Sequence, residues 1–547
     1  MATRQFFDNK IIKLPGAYAT IVSGDQATPI ATDYGKVLVI DTGANASGWA
    51  NGSGIDGVSA YGKDAVYKFN DLGDYQSYLK GGILWKLAEA LFKPDKKSGA
   101  VGVSEVLHVK AATTTQALLT FTATGGGANG GTFKVNPLDE GTGANGTLTS
   151  AHLDKGYAFK VTAGVIDTAK WVYSLYVGSW VGNHTDSISY NEIAKADSPE
   201  ILLVSSPEFN NITELISWAN TDSKFGRYFK LDPTSAVAGT GAVVIGDIPS
   251  GFQVAVGGTE TYSLANLNLA LDAVQDEVFT YIITDAWGGD EHDSSEISAI
   301  NTFILSDSKY KRFLYFGGGD NVDEFDTTDG SIDIAEYFDS AYIHTVHGST
   351  GLVSSSVAGG YRYYPSGYTA ALMLGRIAGK QPQVPLTNKT LGIDKLYDTL
   401  NKKQQERALD AGIKVPVFSN SIGRIVCLQD VNSLQDNQRL YTPQGKSFSG
   451  SFMRIVEQIN TELIVNSELS LLNDENGVTV NSLSAAKIKS FTETYLNTRL
   501  ATANVDNLLL KFKDVTVIRN EDSWNVTYAL SVNNEINKLF YTGFLIK

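Results

Sequence analysis

Gly52-Ser53-Gly54-Ile55-Asp56-Gly57 has the glycine spacing that lets a chain close around a dinucleotide pyrophosphate. That chemistry needs the glycines at a strand-to-helix turn, with the helix N-terminus facing the phosphates. Here they lie inside a Gly/Asn/Ser-rich stretch from Gly43 to Gly62, with no helical pattern opening after them. The run therefore reads as a loop. Gly317-Gly318-Gly319 does follow an apolar strand pattern but lacks the Lys-Ser/Thr pair of a phosphate-binding loop. His344 and His347 have the i,i+3 spacing that brings two imidazoles to one metal on a helix. Their local pattern is a strand, which sends i and i+3 to opposite faces, and the six histidines show no other ligand spacing. Two acidic runs, Asp285-Asp290-Glu291-Asp293 and Asp320-Asp323-Glu324-Asp326-Asp329, offer the oxygens calcium favours. Neither has EF-hand spacing, and solvated loops account for both.

A serine hydrolase needs nucleophile, base and orienter in contact. No Gly-x-Ser-x-Gly elbow occurs. Ser366-Gly367 opens a helix, where capping explains the serine, and His292-Asp293 is a loop pair with no identifiable nucleophile. The one cysteine, Cys427, sits in the apolar run Arg424-Ile425-Val426-Cys427-Leu428, so no intrachain disulfide forms and a buried inert thiol is expected. These readings assign no catalytic residue, no cofactor and no metal.

The elements around these residues form five stretches. Residues 1–25 read as an apolar arm with a kink at Pro15-Gly16, too short to bury its own core. Residues 26–112 begin an α/β core, with a buried-type strand Val37-Leu38-Val39-Ile40 and a helix over Leu79–Phe92. Residues 113–195, rich in Thr, Gly and aromatics, predict a small all-β insertion. Residues 196–380 alternate strands and helices, beginning with a strand at Ile201–Val204, and predict βαβ units on a largely parallel sheet. Residues 381–547 predict a C-terminal α+β domain. It has a helix carrying Ile455, Ile459 and Leu463 and a second, capped by Ser484, carrying Ile488, Phe491 and Tyr495. Trp524, Val526, Tyr528, Leu530 and Val532 then alternate strictly with polar or small residues, and Lys538–Ile546 closes the chain as a very apolar strand. An apolar strand at each extreme is an edge seeking a partner, with Pro15-Gly16 and Asn533-Asn534 as hinges.

At 547 residues the chain is long enough for three or four domains and needs no staples. The formal net charge of −15 argues against the basic face that nucleic-acid binding requires. No run approaches the ~18 apolar residues of a membrane span, and Met1–Lys10 has no signal-peptide core, so folding in a cytosol is expected.

Several of these segments resemble the tail sheath family of contractile phages. They are Gly367–Pro385 (GYTAALMLGRIAGKQPQVP), Pro385-Leu386-Thr387-Asn388-Lys389, Ala411-Gly412-Ile413 leading to Ser421-Ile422-Gly423-Arg424-Ile425-Val426, and Phe452-Met453-Arg454-Ile455-Val456-Glu457. Leu14-Pro15-Gly16-Ala17-Tyr18 resembles that family's opening motif, with Ala where Val is common. The resemblance implies a subtilisin-like α/β core without catalytic residues. It also implies helical polymerisation as rings, usually sixfold, around a tail tube, and contraction on a baseplate signal. Partners are further copies of the chain, the tube protein, and baseplate and terminator proteins, in a virion tail assembled in host cytoplasm. Terminal arms would exchange between copies through Ile11, Ile12, Leu14 and Tyr18 at one end and Leu539, Phe540, Phe544, Leu545 and Ile546 at the other. Lys487, Lys489 and Arg499 are candidates to face tube carboxylates; a solvated helix face explains them equally. A non-phage contractile particle or bacteriocin, an α/β hydrolase and an adhesin or capsid decoration remain alternatives.

Overall fold

The structure is a computed structural model. It describes residues 5–7, 10–12, 35–41, 66–79, 82–115, 119–122, 132–137, 157–167, 170–177, 201–209, 212–222, 229–232, 252–253, 259–284, 294–307, 312–353, 361–435, 449–472, 484–500, 508–520 and 523–532. The chain divides into two compact units, Met1–Thr32 with Arg454–Glu535 and Asp33–Met453 with Ile536–Lys547.

The larger unit is built on a seven-stranded sheet. In chain order its strands are β1 (Lys36–Asp41), β2 (Tyr67–Phe69), β3 (Glu105–Lys110), β4 (Tyr281–Thr284), β5 (Phe313–Gly319), β6 (Ile343–His347) and β7 (Ile413–Lys414), and across the sheet the order is β7-β6-β5-β4-β1-β3-β2. Every neighbour pair is parallel except β2 with β3. Parallel strands need covering on both faces, which is why they are apolar at successive positions rather than alternately. Val37 and Val39 pack in one cluster, Leu38 and Ile40 in the other. The first cluster is closed by helices α1 (Leu72–Leu79), α2 (Gly82–Phe92) and, later in the chain, α6 (Ser366–Ile377). The second is closed by α3 (Leu264–Ala273) and α4 (Ser294–Ser306), with Phe338 from α5 (Ser331–Phe338). Helices α2 and α6 approach closely at Gly375, where a Cβ would lie 2.6 Å from the carbonyl oxygens of Ala90 and Leu91.

The expected strand–helix alternation from Leu264 onward is present. The expected boundaries move. Ile201–Ser205 is a strand, but it runs antiparallel to Trp171–Val177 instead of entering the core sheet. Ala112–Thr115 pairs with Thr259–Tyr262, Thr132–Pro137 with Phe229–Asp232, and Tyr157–Ala163 with Phe252–Gln253. Among the described residues, strands within 112–177 thus pair with strands within 201–262. An apolar strand before a helix has the same local pattern in either environment, because the pairing partner is not fixed by the local sequence. Likewise the second unit begins at Arg454 and not at 381. Residues after 380 still serve the core: β7 extends its sheet, and Lys414 meets Asp430 at 2.6 Å with both side chains fully buried.

The smaller unit contains α7 from Arg454 onward (the helix spans Gly450–Ser467), α8 (Ala485–Thr498) and the antiparallel ribbon β8 (Leu509–Asn520) with β9 (Ser523–Val532). Ser484 caps α8 by accepting from the Lys487 N–H. Ile488 is buried with Leu471, and Phe491, Val517, Trp524 and Val526 pack against them. The alternation along β9 therefore serves its inner face, as the sequence predicts.

Candidate assembly interface

Two kinds of place in this fold could carry function: polar clusters at the ends of the parallel strands, and edges that lack a partner strand among the described residues.

The chain leaves β1 toward β3 on one side and returns at β4 on the other. That reversal is where open α/β sheets bind ligands, at the carboxyl ends of the strands. Asp41 ends β1 there, and His108 of β3 stands between it and α1. The His108 Nδ1 is 3.0 Å from the Tyr75 hydroxyl and its Nε2 3.8 Å from Asp41 Oδ2. All three side chains are buried. Burial pulls the His108 pKa down to about 4, opposed by the Asp41 charge and assisted by Lys110. The imidazole is neutral at pH 7 and joins the two strands and the helix; no solvent reaches it.

A second histidine contact lies at the end of β6. The hydroxyl of Ser331, first residue of α5, is 2.7 Å from His347 Nδ1. Burial holds His347 down at about 3, against the pull of Asp398. A Ser–His pair is half of a hydrolytic triad, and nothing in the sequence marked these two residues, sixteen apart, as neighbours. Their surroundings are closed. A Cβ on Gly319 would stand 2.6 Å from Ser331 Oγ, the Phe325 ring meets the imidazole edge-on at 5.2 Å, and both partners are buried. His344 makes separate contacts: it stacks on Tyr315 at 4.3 Å, and its Nδ1 lies 3.2 Å from the Val431 carbonyl. The two histidines thus contact different residues.

The acidic turn after β5 organises the backbone. Glu324 accepts from the Asp320 N–H and from Asn321, Asp320 accepts from the Ser366 N–H that opens α6, and Asp326 pairs with Arg407. Among the described residues no cluster of three or more His, Cys, Asp or Glu side chains could hold a metal, and no helix is long and apolar enough to cross a membrane. Gly52–Gly57 and the acidic run at 285–293 lie outside the described residues.

The edges are different in kind. Among the described residues β8 and β9 pair with each other and with no third strand, apart from one bridge between Leu500 and Leu509. Twelve and ten residues of backbone thus present outer edges. Both elements are ordered by packing on α8 and by one bond to α7, from the Tyr528 hydroxyl to Asn460 at 2.6 Å. The helices are themselves joined by a buried network: Glu462 of α7 accepts from the Tyr495 hydroxyl, Arg499 and Gln458. Burial raises the Glu462 pKa against the pull of Arg499, and the same pair keeps Arg499 firmly charged despite its own burial.

That network changes the standing of one sequence candidate. Arg499 is the C-terminal cap of α8, is buried, and is spent on Glu462 within its own unit, so it does not face outward. Lys487 and Lys489 are exposed on α8, the latter 3.8 Å from Glu493. Ile11 and Ile12 lie in a short strand, Lys10–Ile12, antiparallel to Gln5–Phe7. Leu14, Tyr18, Leu539, Phe540, Phe544, Leu545 and Ile546 lie outside the described residues.

No model of a protein family matches the sequence, and no curated protein matches it. Solved structures do. The chain is similar to a sheath tail protein of Listeria innocua, at 15% identity and a TM-score of 0.46, covering 91% of this chain and 96% of that one. It is similar to a sheath tail protein of Desulfitobacterium hafniense, at 15% identity and a TM-score of 0.49, covering 95% and 97%. It is also similar to the helical sheath of the anti-feeding prophage in its contracted state, at 14% identity and a TM-score of 0.37, covering 53% of this chain and 78% of that one.

Proposed function

We propose that the chain is a structural tail sheath subunit, which polymerises as helical rings around a tail tube and contracts to drive the tube through a cell envelope. One observation carries this reading: the β8–β9 ribbon, whose inner face is packed while its edges have no third strand among the described residues. Two-stranded ribbons are marginal in water, and their free edges recruit strands. The same sequence supplies strands to recruit, in the apolar stretches around Ile11–Ile12 and over Leu539–Ile546. Addition of such a segment from a neighbouring copy is β-augmentation, which joins bodies through backbone hydrogen bonds and leaves them free to turn about the joint. The sequence resemblance over 365–547 points the same way.

In this reading the partners are further copies of the chain, a tube protein, and baseplate and terminator proteins, and the particle is a phage tail. A non-phage contractile particle uses the same subunit chemistry, and a neighbouring capsid gene distinguishes the two. Lys487 and Lys489 face tube carboxylates. The core supplies rigidity and no catalysis. Deleting residues 1–20 or 538–547 tests the reading: each truncated chain is expected to fold, by circular dichroism, and to form no tubes by electron microscopy. Normal tubes from both truncations would overturn strand exchange.

A second reading, an α/β hydrolase, is favoured only by the Ser331–His347 contact. It requires that Ser331→Ala abolish an esterase activity of the purified chain.

A further inference from the structure

The two edges of the ribbon differ in how well a further strand could pair with them. Strand β8 has twelve residues against ten in β9. The register slips between Leu509 and Lys511 and again between Lys513 and Thr516, so both extra residues bulge from β8. At the second slip Asp514 is left-handed, with φ 58°. Bulges turn N–H and C=O groups out of line and blunt an edge. The start of β8 is also occupied: Leu500 bridges Leu509, whose N–H donates to the Arg499 carbonyl at 2.9 Å. Lys511, Lys513 and Asp514 add exposed charges along the same strand.

Strand β9 carries none of these devices. Ser523–Val532 has no charged residue, no proline, no glycine and no bulge of its own. On its inner face Trp524, Val526, Tyr528 and Leu530 are only half-buried. Side chains laid beside them by a further strand would cover more apolar surface.

The chain holds one stretch suited to that edge. Leu539–Ile546 is eight residues without charge or proline, about 26 Å when extended against about 33 Å for β9. The N-terminal run is poorer. Lys10–Ile12 already pairs with Gln5–Phe7, and Pro15, three residues on, has no N–H to give a ladder. Within one copy, Ile536–Lys547 groups with the larger unit and not with the unit that holds the ribbon.

We infer that β9 is the receiving edge of the ribbon, that β8 is closed to addition, and that the occupant of β9 is Leu539–Ile546 of a second copy. The inference rests on the strand exchange proposed above and narrows it to one edge and one donor. Backbone hydrogen bonds along β9 supply the attachment, and the half-buried inner side chains supply the apolar contact.

Amide exchange and photo-crosslinking of the full-length chain test it. Exchange is compared between unassembled chains and tubes. The β9 amides that point away from β8 are expected to slow at least ~10-fold on assembly, and the outer amides of β8 less than ~3-fold. In parallel, a photo-reactive phenylalanine analogue replaces Phe540 or Leu545, which face opposite sides of a strand. Tubes are grown from mixed heavy- and light-isotope copies, and crosslinked peptides are identified by mass. Crosslinks from at least one position should reach β9 of another copy. Slowing at β8, or crosslinks to β8, overturns the choice of edge and leaves strand exchange standing. Slowing at β9 without a crosslink from either position overturns the choice of donor. Crosslinks to β9 confined to one copy overturn the inference and strand exchange together, as do tubes in which neither strand slows. A chain that forms no tubes overturns the proposed function, and this inference with it.

Discussion

His108 and His347 have the environments whose consequences are easiest to measure. Both rings are neutral in the folded chain because burial pulls their pKa values down, to about 4 and about 3. An unfolded chain binds those protons near pH 6.5. As pH falls below 6.5 the unfolded state is therefore protonated first and stability is lost, until the folded rings titrate as well. For His108 alone the loss is about 3 kcal/mol, absent above pH 6.5 and complete below pH 4. Urea unfolding of the full chain from pH 7 to pH 4 should show a falling midpoint, with a shallower fall in His108→Gln. The buried pair Lys414–Asp430 gives a second expectation. Removing either partner alone, as Lys414→Ala or Asp430→Ala, leaves an uncompensated buried charge and should cost ~3–5 kcal/mol. The double substitution Lys414→Met with Asp430→Leu should recover most of that, read as a thermal midpoint.

At the level of elements, packing decides what propensity alone would not. Alanine favours a helix over glycine by about 1 kcal/mol. At Gly375 a methyl group meets two carbonyl oxygens of α2 at 2.6 Å, so Gly375→Ala should lower the thermal midpoint despite the better helix former. The Glu462–Tyr495–Arg499 network fixes α7 against α8, and the ribbon rests on α8. Glu462→Ala should therefore loosen the ribbon, seen as faster amide exchange along β8 and β9. Much of this architecture was legible in the sequence. Apolar runs such as Val37–Ile40 and Tyr281–Ile283 announced strands covered on both faces, Ser484 announced a helix start, and the alternation from Trp524 to Val532 announced a strand with one packed side. What could not be read was partnership. Nothing local in Ile201–Ser205 says that it pairs with Trp171–Val177, and nothing near Ser331 or His347 says that they meet. Arg499 misled for the same reason: its position on a helix was visible and Glu462, on another helix, was not.

For the whole molecule, the division into two units separates two tasks. One unit is a parallel sheet with both faces covered and its histidines and buried ion pair turned to cohesion. The other contains a ribbon whose inner side is packed and whose edges meet no third strand among the described residues. In the proposed role a subunit needs a body that keeps its shape and joints that survive movement between bodies, and these two constructions suit those needs. The most direct measurement is a reconstruction of tubes grown from the purified full-length chain, at a resolution that traces β8 and β9. The account predicts a terminal strand of an adjacent copy hydrogen-bonded along the ribbon. Ribbon edges left bare, or filled by the end of their own chain, would contradict it.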